Sequence, residues 1–148
     1  MTTPKMNIRA TVPAQDSSDP VTVLTEEECW ELAEQAPFAR LGTVDEGRVF
    51  IAPLNIAVHE GKIYFRTAAG SKLTRLQITE QVTVEFDRVE GGKAFSVNIH
   101  GTARLLTDTD EIDRARKLNI RTWLPTEKIE FVEITPTELT GRRFKLGS

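Results

Sequence analysis

Cysteine and histidine are scarce in this 148-residue chain. The single cysteine, Cys29, excludes an intrachain disulfide and reads as a small buried apolar residue. With only two histidines, His59 and His100, there is no Cys/His cluster for a structural zinc, and no metal is expected. Cationic excess is also missing: 19 Lys and Arg stand against 22 Asp and Glu, a net charge of −3. That balance argues against nonspecific nucleic-acid binding, which needs a basic surface. No apolar run approaches the ~20 residues of a membrane span, and no signal-peptide core is visible at the N-terminus. The expectation is a cytoplasmic protein without membrane or nucleic-acid partners. Hydrolysis through a nucleophilic triad is unsupported, because Ser71 has no adjacent base. The glycine spacings of a P-loop and of a dinucleotide fingerprint are missing as well.

What is present suits one globular domain, with 39% apolar and 28% charged residues. Residues 1–22 mix Thr, Pro, Ser, Asp and Gln without apolar period and read as a flexible tail before a domain over 23–148. Thr25-Glu26-Glu27-Glu28 forms a capping box, and Cys29, Leu32, Ala33 and Ala36 make one helical stripe ending at Pro37. Alternating segments punctuated by Asp45-Glu46-Gly47, His59-Glu60-Gly61 and Gly91-Gly92 predict strands at 38–44, 48–58, 62–67, 82–87 and 94–106. Closing strands are expected at 130–134 and 141–146, a short helix at 71–78 and a longer one at 107–121. Pro53 inside a strand implies an edge, a bulge or a ligand-facing break. Short antiparallel strands with a few helices predict an α+β, mainly β protein built round a β-barrel.

The stretch Tyr64-Phe65-Arg66-Thr67-Ala68-Ala69-Gly70-Ser71-Lys72-Leu73 collects a guanidinium, two hydroxyls, an ammonium and backbone N–H groups within ten residues. Strand end, small-residue turn and helix start suit a phosphate monoester. A bland alternative for Arg66 is an ion pair with Glu85 or Asp87 across the sheet, and for Ser71 and Lys72 an ordinary exposed helix start. Arg142 and Arg143 read as a solvated strand face paired with Glu133 or Glu138, and His100 as a structural histidine.

The ordered series Ala39-Arg40-Leu41-Gly42-Thr43-Val44, Ile51-Ala52-Pro53-Leu54-Asn55, Ile63 to Ala68, Gly70-Ser71-Lys72-Leu73, Val82 to Asp87, Phe95 to Ala103 and Thr140-Gly141-Arg142-Arg143 resembles the pyridoxamine 5'-phosphate oxidase-like, FMN-binding split-barrel family. The resemblance covers about residues 24–146. It implies a six-stranded antiparallel split β-barrel with flanking helices, a homodimer, and FMN bound noncovalently at the dimer interface. It implies that Thr67, Ser71 and Lys72 hold the flavin phosphate, with Phe65 and Arg66 at the adjoining strand end. Arg48 would open the cofactor-lining strand, with Pro53, Leu54 and Asn55 facing the ring. Ser96 would reach the flavin of the other subunit, and Trp123 would stand near the ring. The implied activity is that of a flavin-dependent oxidoreductase acting on a small-molecule redox substrate, with no catalytic acid or base assigned. Departures exist: a single basic residue follows Ser71, and Pro53 stands where true oxidases often carry lysine. The resemblance therefore implies flavin binding more than vitamin B6 chemistry. Alternatives are a deazaflavin-dependent reductase and a non-catalytic flavin- or haem-binding module.

Overall fold

The computed structural model describes residues 19–36, 38–68, 80–121 and 129–147. The elements run β1 (Val21–Val23), α1 (Glu26–Gln35), β2 (Phe38–Asp45), β3 (Arg48–Asn55), β4 (Ala57–His59), β5 (Lys62–Ala68), β6 (Glu80–Glu90), β7 (Lys93–Leu105), α2 (Thr109–Arg116) and β8 (Ile129–Lys145). The strands form one antiparallel sheet in the order β3-β2-β6-β7-β8-β5-β4, with β1 paired to β8. No hydrogen-bonded pairing joins β3 to β4 among the described residues, yet β3 touches β5, so the sheet wraps without closing. This is the expected mainly β, split-barrel class.

The eight strands exceed the six that the resemblance implies: six have seven residues or more and two have three each. The predicted strand 48–58 divides at the buried Ile56 into β3 and β4. Val21 and Thr22, expected in the tail, instead pair with Phe144 and Arg143. The two predicted closing strands are one 17-residue strand, β8. Residues 107–121 contain only a short helix: Asp108 caps it by accepting from the Glu111 N–H, and Asn119 leaves the helical region with φ 53°. The predicted helix 71–78 lies outside the described residues. Each two-residue hairpin turn has φ > 0 at both positions, as at Glu46 (50°) and Gly47 (76°), the twist that suits antiparallel strands.

The barrel core follows the period of two. Leu41, Ile63, Phe65, Val84, Phe86, Val97, Ile99, Val132 and Ile134 are all buried inside it. On β8 the inward set changes parity, from Val132, Ile134 and Pro136 to Leu139 and Gly141. The pairing with β7 shifts at the same place, since His100 faces Glu138 while Gly101 faces Pro136. Thr137 is the extra residue of a β-bulge, and its hydroxyl donates to the His100 carbonyl at 3.2 Å. Pro136, which has no N–H, sits beside that irregularity. Gly101 must be glycine because a side chain there would run into the Thr135 carbonyl. A second, smaller core of Leu106, Ala115, Ile120 and Phe131 packs with Tyr64, Ile112 and Leu118 and seats α2 against the outside of the sheet.

Candidate functional site

Alternation along β3 turns Leu54 inward and leaves Val49, Ile51, Pro53 and Asn55 on the outward face. Ile51 is 69% exposed and Val49 67%, unusual values for large apolar side chains. With Val44 of β2 they form one wall of a groove of about 540 Å3, whose floor includes Gly42, Thr83 and His100. At its edge Arg40 binds Glu85 at 2.9 Å and Asp87 at 3.1 Å. His100 Nδ1 lies 2.8 Å from the Thr83 hydroxyl, and its Nε2 lies 3.9 Å from Glu138. The groove is therefore apolar on one side and carries one oriented imidazole on the other.

The same face of β3 ends in a polar junction. Asn55 Nδ2 donates to the Arg121 carbonyl at 3.4 Å, and Arg66 Nη1 donates to the Ile120 carbonyl at 2.8 Å. Bonds to consecutive carbonyls bring the two side chains to one point of the chain. Arg66 Nε is buried and makes no hydrogen bond among the described residues; nor does Glu130 Oε2. Glu130 pairs with Thr67 across β5 and β8, on the opposite face of the sheet from Arg66, which pairs with Phe131. Buried polar atoms are ordinarily paired, so the unpaired Arg66 donor at this junction fits a ligand that supplies an acceptor.

A second cavity, of about 470 Å3, opens between α2 and the outer face of β5, β7 and β8. At its base Glu133 is 5% exposed. Its carboxylate accepts from Arg104 Nε at 2.9 Å and from the Tyr64 hydroxyl at 2.8 Å, and Lys62 lies 3.6 Å away. Arg104 also pairs with Glu111 of α2. Burial, together with the carboxylate it binds, pushes the Tyr64 phenol up, so it stays a donor. The Arg104 guanidinium holds the Glu111 carboxyl below its ordinary value. These charges satisfy one another, which makes the cluster a clasp for α2.

The structure gathers part of the predicted site. Asn55 and Arg66 converge, and Thr67 is buried one residue on. Pro53 lies outward on the edge strand opposite Arg40, which explains how the strand tolerates it. Arg48 is exposed at the start of β3, with its guanidinium 5.8 Å from the Phe50 ring centre. Leu54 and Phe65 are buried in the barrel core, so their side chains pack there, facing the interior. Ser96 is half-buried on β7, three strands from β3 and thus about 14 Å across the sheet, away from the others within one chain. Ser71, Lys72 and Trp123 lie outside the described residues. The ion pair considered for Arg66 belongs to Arg40, and Arg143 pairs with Glu28 at 3.6 Å in place of Glu133 or Glu138. Sequence reasoning missed the groove. Its signal was the outward set Val49 and Ile51, apolar where an exposed edge strand would be polar.

The family model for pyridoxamine 5'-phosphate oxidase matches residues 25–143, from the cap of α1 almost to the end of β8. The chain belongs to the pyridoxamine 5'-phosphate oxidase family. Within this family's reach, a solved Corynebacterium glutamicum protein, provisionally assigned as a pyridoxamine 5'-phosphate oxidase, is 38% identical. It superposes with a TM-score of 0.82 over 91% of this chain and 99% of that one. The FAD-binding protein of Mycobacterium smegmatis is 33% identical, with a TM-score of 0.76 over 85% of this chain and all of that one. An uncharacterised protein of Mycobacterium tuberculosis H37Rv is 32% identical over 85 residues, 57% of this chain and 77% of that protein. Among the described residues no helix is long and apolar enough to cross a membrane.

Proposed function

We propose that this chain is a cytoplasmic flavoprotein that binds a flavin coenzyme noncovalently along the outward face of β3, in a site completed by a second copy of the chain. The observation that carries the reading is the buried Arg66 Nε, a donor without a partner among the described residues, beside the point where Asn55 and Arg66 bind consecutive carbonyls. A flavin phosphate offers acceptors and so matches this donor. Thr67, with Ser71 and Lys72 from the sequence reading, completes the phosphate end. Pro53 and Asn55 would lie along the ring. The 33% identity to an FAD-binding protein across its whole length supports a flavin and makes FAD a ligand to test beside FMN. FMN remains our reading, since the phosphate end described here needs only one phosphate.

A second copy is favoured by the apolar groove: Val44, Val49 and Ile51 would leave water on pairing, a gain of about 25 cal/mol per Å2. Ser96, remote from β3 within one chain, would then serve the neighbouring site. When bound, the flavin would supply hydride or electron transfer to a small-molecule substrate. The residues of this chain position it: Arg66 and Thr67 fix the phosphate end, Asn55 sets the end of β3 against it, and the apolar wall excludes water from the ring face.

The deciding experiment is a visible absorbance scan of the purified protein after incubation with FMN, FAD or a deazaflavin cofactor and gel filtration. A retained flavin band with FMN is the expected outcome. Retention of FAD alone moves the assignment to that coenzyme, retention of deazaflavin alone makes the chain a deazaflavin-dependent reductase, and retention of none overturns flavin binding.

A further inference from the structure

Lys62, Tyr64 and Arg66 alternate onto one face of β5, the face on which α2 lies. Tyr64 and Lys62 reach the α2 region through Glu133 and Arg104, which pairs with Glu111 in the first turn of the helix. Arg66 reaches the other end, donating to the Ile120 carbonyl just beyond the helix. The Ile120 side chain is itself 4% exposed and packs in the second core with Ala115, Leu106 and Phe131. One end of this helical segment is thus held by a saturated charge cluster. The other is held by a guanidinium whose buried Nε makes no hydrogen bond among the described residues.

We propose that Arg66 is a positioning residue that ties occupancy of the flavin site to the seating of α2 and the residues after it. The inference rests on the flavin reading above. A guanidinium has five N–H donors in one rigid plane, so it can serve a carbonyl and an anion at once. Among the described residues, Arg66 is held through Nη1 alone. With a phosphate on Nε, its plane is fixed from two sides, and the bond to Ile120 is held with it. Binding at one end then lowers the frequency with which the segment Leu106–Ile120 opens, and by linkage a firmly seated segment raises flavin affinity. Lysine cannot replace arginine here, because one ammonium on a flexible stem cannot span both partners in fixed geometry.

Native-state hydrogen exchange tests this on the full chain, with and without saturating FMN. The reporting amides are Leu118, which donates to Ala115, Asn119, which donates to Arg116, and Leu106, which donates to Phe131. In the unmodified protein FMN should slow their exchange by about 5- to 150-fold, the ordinary range of coupling between sites. In Arg66→Lys, loaded with enough FMN to show the retained flavin band, that slowing should disappear while the exchange of barrel-core amides is unchanged. Arg66→Met should behave alike and controls for residual donation by lysine. Equal FMN-induced slowing in Arg66→Lys and the unmodified protein overturns the proposal and leaves the flavin reading standing, as does flavin retention with no slowing in the unmodified protein. Failure to retain any flavin overturns both.

Discussion

Gly141 lies where α1 meets β8. A methyl group in its place would sit 2.7 Å from Cys29 Sγ and 3.0 Å from Leu24 Cδ1, both buried side chains. Neither can swing into solvent, so the clash must be relieved by shifting α1. We expect Gly141→Ala to destabilise the fold by about 1–3 kcal/mol, the usual cost of overpacking. Because the sulfur is the nearer of the two atoms, the cost should shrink in a Cys29→Ala background. Urea unfolding of the two single variants and the double variant measures this coupling, and additive costs would show that Leu24, not Cys29, is the obstacle. Burial also pushes the Cys29 thiol up to about 11. Its reaction with a disulfide reagent at pH 8 should therefore wait for unfolding. At Glu133 the accounting differs, since two donors depend on a carboxylate that is 5% exposed. Glu133→Ala should cost about 2–4 kcal/mol, because Arg104 Nε and the Tyr64 hydroxyl lose their acceptor together. A loss under 0.5 kcal/mol in thermal or urea unfolding would mean that water replaces the carboxylate there.

Among the elements, α1 is the one whose start rests on two reciprocal bonds. The Thr25 hydroxyl accepts from the Glu28 N–H at 3.1 Å, and the Thr25 N–H donates to Glu28 Oε1 at 3.0 Å. Replacing Thr25 with alanine should cost about 1 kcal/mol. The backbone N–H of Thr25, aided by Arg143, holds the Glu28 carboxyl below its ordinary value. A depressed folded value means that the contribution is fully present above the unfolded carboxylate range, roughly 4.3, and is lost as pH falls through the folded value. Wild type should therefore lose stability on acidification faster than Glu28→Gln, and parallel pH profiles would contradict it. This cap was legible because its parts lie three residues apart. The hairpins were legible for the same reason, since each is set by two local turn residues. The continuity of β8 was not. Two separate strands, 130–134 and 141–146, were expected, and only pairing with β7 shows that Pro136 lies beside a bulge inside a single strand, with Gly141 further along it under α1. The short α2 escaped likewise, because the apolar Leu118 and Ile120 continue the helical period while Asn119 turns the chain out of the helix. At the site, Arg66 and Thr67 stood out by residue type and neighbourhood, and Asn55 through the family resemblance. Their partners, Ile120 and Arg121, lie more than fifty residues away in sequence and had no local sign.

For the molecule as a whole, the decisive question is what covers the groove of Val44, Val49 and Ile51. If a second copy does, Ile51→Glu places a carboxylate at the centre of the new interface without touching the barrel core, since Ile51 is 69% exposed in the single chain. The variant should fold with unchanged secondary structure and sediment as a monomer at concentrations where the unmodified protein is a dimer. Val89→Glu supplies the control: Val89 is 72% exposed but lies near the β6–β7 turn, away from the groove, and should leave the dimer intact. Flavin affinity separates assembly from binding. A site built from both copies loses half its walls in the monomer, so Ile51→Glu should release flavin on gel filtration. It should also lose the stabilisation that FMN gives the unmodified protein, about 2.7 kcal/mol at 100 times the dissociation constant. A dimeric Ile51→Glu would place the interface on another face of the barrel. A monomeric Ile51→Glu that keeps full flavin affinity would make each chain a complete site, and Ser96 would then have no part in binding.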